Sequence, residues 1–291
     1  MKPQPLSLVA DIGGTNSRFA LAKGGQLLDG SVWRTPNNRF GSFEAALSHF
    51  LAGREAPARA CIAAAGPVLN GAVTLTNHDW SITPASLCIN EVHLLNDMQA
   101  LGHALAPLGP PDKRKLVVNI GTGFNAAVLH CLYGVAYVPP CEAGHMRLPA
   151  LPQAETALAR CRDAYGSDAL EAVLSGAGLE RLHMALTGEA LAAQNITEDW
   201  PKPTLDALMG LLGHSLGDLA LTHLPEGGIW LAGSVGRLLA DQLSHPAFGA
   251  SFASRGPYSD LVKLFKISPL QGEVAALEGA ALYLHGHAAP A

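Results

Sequence analysis

Residues Leu6–Arg18 read LSLVADIGGTNSR, and the order of residue types in this stretch says more about the fold than any other part of the chain. Leu8-Val9-Ala10 has the apolar character of a buried strand, Asp11 stands at its end, and Gly13-Gly14-Thr15-Asn16 make a turn. Phe19-Ala20-Leu21-Ala22 resumes strand character, so the loop is expected to join two strands of a hairpin. Adjacent glycines let backbone N–H groups converge without interference from Cβ atoms, an arrangement that suits a phosphate. The carboxylate of Asp11 beside them could hold Mg2+ through water, because Mg2+ takes few carboxylates and keeps its hydration. No Lys-Ser/Thr pair follows, so this is not a P-loop, and the spacing is not G-x-G-x-x-G. An ordinary tight hairpin accounts for this segment equally well. The rest of the chain has to decide.

At 291 residues the chain is long enough for one large domain or two smaller ones, each with its own core. A hydrophobic content of 48% with 15% charged residues describes a compact globular protein, not a disordered one. The net charge of −5 argues against a nucleic-acid or membrane-surface partner, since both need a basic footprint. No run of eighteen apolar residues appears, and the N-terminus leads directly into a strand, so a cytoplasmic protein is expected. Five widely spaced cysteines without a C-x-x-C pair favour reduced thiols over a disulfide framework or a zinc site.

Strands and helices alternate through the first hundred residues. Phe43 to Leu51 has a helical period, and Ala60 to Ala64 reads as a buried strand. Asn70-Gly71 marks a hairpin turn. Thr83 is expected to cap a short helix with Pro84 at its first position. Val92 to Leu95 forms a further strand that ends at Asn96-Asp97, and a helix follows from Met98. The Pro- and Gly-rich interval 107–111 is the expected crossing between domains. Beyond it, Leu116 to Ile120, Gly121-Thr122-Gly123 and Phe124 to Cys131 repeat the opening order of apolar strand, Gly/Thr turn and apolar strand. Helices are expected from Ala154 to Leu221, then a strand at Gly228 to Ala232, a last strand at Leu261 to Ile267, and a final helix from Val274.

Five segments therefore fall at strand ends: Asp11 with its glycines, Asn96-Asp97, Gly121-Thr122-Gly123, Glu142-Ala143-Gly144-His145, and Gly233-Ser234. In open α/β sheets such loops gather at one crevice. Taken in order, VADIGGTNSRFALA, LTNHDW, LLNDMQA, GTG, CEAGH, EAVLSGAGL and IWLAGSVG resemble the pattern of bacterial ATP-dependent glucokinases of the hexokinase–actin-like superfamily, from about Leu8 to Gly279. The C-x-C-G-x-x-G-C zinc motif of the related repressor and kinase group is absent, so the likeness is to the zinc-free branch.

The resemblance implies an α/β, two-domain actin-like (ribonuclease H-like) ATPase fold with an interdomain cleft. Residues 1–107 plus 272–291 would form the small domain and residues 108–271 the large one. It implies ATP and Mg2+ as cofactors, glucose or a related hexose as substrate, and a homodimer. Asp97 would be the catalytic base for the sugar 6-hydroxyl. Asn77, Asn96, Glu142, His145 and Glu171 would bind the sugar with it. Gly13, Gly14, Thr15 and Asn16 would line one phosphate loop, Gly121, Thr122 and Gly123 the second, and Gly233 and Ser234 would flank the adenosine. The bland readings are a helix cap for Asp97, a solvated helix face for Glu171 and a core imidazole for His145.

Two departures matter. The usual G-T-G-x-G is followed here only as far as Gly123, with Phe124-Asn125 next, which is expected to add a side chain near the phosphates and weaken ATP binding. The usual E-G-G-H is Glu142-Ala143-Gly144-His145, a small change unless Ala143 needs positive φ. A kinase of another hexose and a non-catalytic sugar sensor on the same fold are the alternatives.

Overall fold

The computed structural model of the chain describes residues 4–75 and 80–287. It divides into two compact units, one formed by Met1–Pro111, Leu129–Pro140 and Gly272–Ala291, the other by Asp112–Val128 and Cys141–Gln271.

The first unit is built on the hairpin predicted from the opening stretch. Strand β1 (Ser7–Ile12) pairs antiparallel with β2 (Asn16–Lys23), which carries β3 (Gln26–Leu27) and β4 (Trp33–Pro36). Helix α1 (Phe43–Leu51) opens at Ser42, whose hydroxyl accepts the Ala45 N–H at 3.2 Å. Strand β5 (Arg59–Ala64) then lies parallel to β1. A small antiparallel sheet of β6 (Val68–Leu69), β7 (Ala72–Thr74) and β8 (Ser81–Ile82) follows. Its tight turn places Asn70 and Gly71 at φ of 52° and 74°, the pair of left-handed residues that a type I′ turn requires. Strand β9 (Glu91–Asn96) pairs parallel with β5 and passes directly into α2 (Asp97–His103).

The second unit starts with β10 (Lys115–Ile120) and β11 (Phe124–Leu132), and the far end of β11 forms a hairpin with β12 (Val135–Tyr137) that groups with the first unit. Helices α3 (Glu155–Tyr165), α4 (Gly176–Thr187), α5 (Ala193–Asp199) and α6 (Lys202–His223) come next. After them run β13 (Gly228–Ala232), α7 (Ser234–Ala240), α8 (Pro246–Phe252), α9 (Ser259–Val262) and β14 (Ile267–Pro269). Helix α10 (Ala275–Gly286) returns to the first unit, where Leu277, Ala280, Ala281 and Leu284 are buried against Val9, Cys61 and Ala100.

The two main sheets have the same order. One runs β3-β2-β1-β5-β9 and the other β12-β11-β10-β13-β14, each a hairpin followed by two strands added in parallel. The echo seen in the sequence is a repeated topology.

Two local expectations are corrected. Thr83 makes no side-chain cap, and Pro84–Ser86 is a single 3-10 turn. Leu261 and Val262 belong to α9, and the last strand is confined to Ile267–Pro269. Val262 and Phe265, three residues apart, both face the core while Leu264 is 77% exposed, a helical spacing that an alternating strand cannot produce.

Candidate active site

In the first unit the strand register sets the geometry. Ile12 is opposite Ala64 and Ala64 is opposite Asn96, so the Gly13–Asn16 loop and Asn96-Asp97 leave the same edge of the sheet. Two strand spacings separate them, about 10 Å. Asn96 is the N-cap of α2 and is 7% exposed. Its Oδ1 accepts the Met98 N–H at 2.9 Å, its Nδ2 donates to the Gly66 carbonyl at 3.2 Å, and its own N–H donates to Gln99 Oε1 at 3.1 Å, completing a capping box. Asp97 is therefore the first residue of the helix and not its cap. Its Oδ1 accepts the Met98 N–H at 2.8 Å, which orients the carboxylate at the sheet edge.

Asp11 faces Arg18 across the β1–β2 ladder, and the guanidinium Nη1 donates to Asp11 Oδ2 at 2.8 Å. Burial raises the Asp11 carboxyl above its usual range, and the Arg18 charge opposes that shift. The glycine loop has a lock that the sequence reading missed. Asn37, 1% exposed, donates from its backbone to the Thr15 carbonyl and from Nδ2 to the Gly13 carbonyl, both at 2.8 Å. Its Oδ1 accepts the Ser17 hydroxyl at 2.6 Å. Thr15 and Asn16 are left exposed at the tip. Asn77 lies outside the described residues.

The second unit gathers the other predicted residues. Glu171 sits in a 3-10 turn (Leu170–Ala172) and accepts the Phe124 N–H on Oε2 and the Tyr165 hydroxyl on Oε1, each at 2.9 Å. A solvated helix face is excluded for it. Gly144 packs against the Phe124 carbonyl so closely that a Cβ would collide with it, and that Cβ would also lie 3.4 Å from Glu171 Oε2. The Gly121–Gly123 turn, the 142–145 segment and Glu171 are thus one cluster. Glu142 and His145 are exposed, which removes the core-imidazole reading of His145. Ala143 belongs to a 3-10 turn (Ala143–His145) and is not among the residues with positive φ.

The expected obstruction at Phe124-Asn125 is overturned. Phe124 is 3% exposed and packs into the core of the unit. The Asn125 side chain is directed at residues 141–143, with Nδ2 donating to the Cys141 carbonyl at 3.0 Å. Neither side chain fills the glycine turn.

A cavity of about 490 Å3 opens beside that turn, lined by Gly121, Thr122, Gly176, Ala177 and Ser234 among others. The Gly176 N–H donates to the Gly121 carbonyl at 2.8 Å, so the N-terminus of α4 abuts the turn. Gly233 has φ of 82° and ψ of 166°, a conformation essentially restricted to glycine, and a Cβ there would strike the Ile120 carbonyl. Backbone N–H groups and a helix N-terminus around a concavity form a site for an anion. Gly176 and Ala177 were missed as site residues, although SGAGL carried the signal: Ser175 caps α4 by accepting the Gly178 N–H at 3.0 Å. The lining also includes Glu180, Gln194 and Thr197, from α4 and α5, which no local motif announced. Among the described residues no group of three His, Cys, Asp or Glu side chains could hold a metal ion. No helix among them is long and apolar enough to cross a membrane.

A family model described as Glucokinase matches residues 8–287. A glucokinase from a Caulobacter species is 33% identical over 313 residues, covering 95% of this chain and 94% of the relative. One from Saccharophagus degradans is 32% identical over 320 residues, covering 95% and 97%. The crystal structure of a glucokinase from an Antarctic psychrotroph superposes with a TM-score of 0.83 at 28% identity, over 97% of this chain and 99% of that one. The fold is the actin-like α/β fold of sugar kinases. With glycine turns, a carboxylate at the sheet edge and near full-length matches all agreeing, the chain belongs to the glucokinase family and is a glucose-phosphorylating kinase.

Proposed function

We propose that Asp97 is the general base that takes the proton of the glucose 6-hydroxyl as that oxygen attacks the γ-phosphorus of ATP, giving glucose 6-phosphate and ADP. The observation that supports this role is its placement: it is the first residue after a capped strand end, on the sheet edge that also carries the Gly13–Asn16 loop. Phosphoryl transfer depends mainly on positioning and charge neutralisation, so a carboxylate held at a fixed point suffices as proton acceptor. Asn77, Asn96, Glu142, His145 and Glu171 bind the sugar hydroxyls. The Glu171 carboxylate is already oriented by Phe124 and Tyr165. Gly13, Gly14, Thr15 and Asn16 and the Gly121–Gly123 turn hold phosphates, and Gly233 and Ser234 flank the nucleoside, Ser234 lining the cavity.

Mg2+ fits the donor set as a largely hydrated ion. Asp11 has one oxygen engaged by Arg18 and the other to offer a bound water, and Mg2+ with ATP neutralises charge on the transferred phosphoryl group. The working domains are residues 1–107 with 272–291 and residues 108–271, apart from residues 108–111 and 129–140, which group with the first, and the enzyme is a cytoplasmic homodimer without nucleic-acid or membrane partners. Sedimentation of the purified chain tests the dimer. The central test is Asp97→Ala. Turnover in a coupled ADP-release assay with ATP and Mg2+ should vanish while glucose affinity stays within about tenfold. A near-normal rate refutes the assignment, and undiminished turnover in excess EDTA refutes the metal.

A further inference from the structure

We propose that Asn125 is a positioning residue for the sugar, acting through Glu142; the inference rests on the reading of Glu142 as a sugar ligand. Asn125 is the second residue of β11, where the pattern this chain resembles carries glycine. Its amide is fully used. Oδ1 accepts the Ala126 N–H at 2.8 Å and the Ala143 N–H at 2.9 Å, and Nδ2 donates to the Cys141 carbonyl at 3.0 Å and to Glu142 Oε2 at 3.1 Å. Two donors and two acceptor positions are all that an amide has. One side chain therefore ties three consecutive residues of the 141–143 segment to the rigid strand.

Glu142 needs such a tie. It is exposed and precedes the 3-10 turn with φ of −126° and ψ of 57°, outside regular structure, so neither burial nor a backbone ladder orients its carboxylate. The Asn125 amide fixes Oε2 and leaves Oε1 to accept a hydroxyl. A neutral donor suits this task better than Arg or Lys, because it orients the carboxylate without neutralising the charge that draws the hydroxyl proton. The residue that breaks the glycine pattern of the phosphate turn thus serves the sugar and not the nucleotide. Its loss should be felt in glucose binding, with ATP little affected.

The Asn125→Asp variant separates the two halves of the clamp. It keeps an acceptor for the Ala126 and Ala143 N–H groups and turns the donor into an oxygen facing Glu142 and the Cys141 carbonyl. Glucose affinity of the full chain, measured by titration calorimetry, should fall at least tenfold, while the KM for ATP stays within twofold. In the double variant Asn125→Asp with Glu142→Gln the pair regains one donor and one acceptor with polarity reversed. Its glucose affinity should then be no worse than that of Glu142→Gln alone, a strong non-additivity. If the two losses multiply instead, or if Asn125→Asp leaves glucose affinity intact while Glu142→Gln weakens it, the positioning role is overturned. If Glu142→Gln itself has no effect on glucose, the sugar-ligand reading falls and the inference with it. Should Asn125→Asp not fold, Asn125→Ala, which removes the donor to Glu142 outright, should lower glucose affinity at least tenfold with the KM for ATP within twofold, and should cost little further in a Glu142→Gln background; glucose affinity left intact by Asn125→Ala overturns the role. An equal rise in the KM for ATP and the Kd for glucose would mark a merely structural residue.

Discussion

Glu171 shows how much one side chain can hold. Its two oxygens satisfy a backbone N–H at the glycine turn and the hydroxyl of Tyr165, whose own pKa is raised by burial and then by this bond. Two substitutions separate scaffold from ligand. Glu171→Ala leaves the Phe124 N–H without its acceptor, at a cost of about 1–3 kcal/mol in unfolding free energy. Glu171→Gln keeps a carbonyl oxygen for that N–H and an amide that the Tyr165 hydroxyl can meet, so stability should change by less than about 1 kcal/mol. Glucose affinity should nevertheless fall at least tenfold in both. Calorimetric binding beside urea unfolding reads the two effects separately, and a Glu171→Gln chain that binds glucose normally would make Glu171 scaffold only. Asn96 illustrates the opposite lesson: a side chain proposed to touch sugar is also the capping residue of α2, and only the folded chain showed that the cap is Asn96 and not Asp97.

At the level of elements, the β1–β2 loop depends on a partner that is remote in sequence. Asn37 reaches back to residues 13–17 from the turn after β4, because β4 lies against β2 with Pro36 opposite Asn16. Asn37→Ala removes the bond to the Gly13 carbonyl and strands the Ser17 hydroxyl in the interior, which should cost about 1–3 kcal/mol. The loop would lose its shape before the sheet does. The KM for ATP should therefore rise several-fold with glucose affinity within about twofold, as initial-rate kinetics and calorimetry would show. An unchanged KM for ATP would mean that the loop holds its conformation without Asn37. The hairpin itself was legible because an apolar–turn–apolar pattern is local, whereas the Asn37 contact spans more than twenty residues and leaves no local mark. The strand expected from Leu261 to Ile267 has a similar cause: in so short a run of apolar residues broken by Lys263 and Lys266, period and alternation cannot be told apart until the core side is known.

At the scale of the whole molecule, the return of α10 onto the first unit packs Tyr283 and His287 against a buried histidine. His103, 3% exposed, lies with its ring 5.1 Å from Tyr283 and 6.1 Å from His287. Tyr283 Oη is 3.2 Å from His93 Nδ1, and His93 Nε2 is 2.7 Å from Glu91. Burial first, and then the charge on His287, pushes the His103 imidazole down from an ordinary value near 6.5 to about 4. The folded chain therefore binds fewer protons than the unfolded one in this range. The stability that follows is fully present above about pH 6.5 and is lost as pH falls towards about 4. Between pH 7 and pH 4.5 the loss attributable to His103 is about 2 kcal/mol. His103→Phe should flatten the unfolding free energy over that interval by this amount, read from urea curves at both pH values. Identical pH slopes for the two proteins would show that the ring is not buried in its neutral form.

The sequence by itself determined the strand–turn–strand openings of both halves, the position of each glycine turn, the existence of a helix after Asn96-Asp97, and membership of a sugar-kinase family. These are written in local periodicity and in ordered short motifs, and neighbours along the chain suffice to specify them. The tertiary structure alone decided which side chains meet: Arg18 on Asp11, Asn37 across the first loop, Gly176 against Gly121, and Asn125 turned away from the phosphate turn towards Glu142. Those contacts depend on strand register and on packing between elements far apart in the chain, and hydrogen-bond partners chosen that way have no signature in the residues that make them.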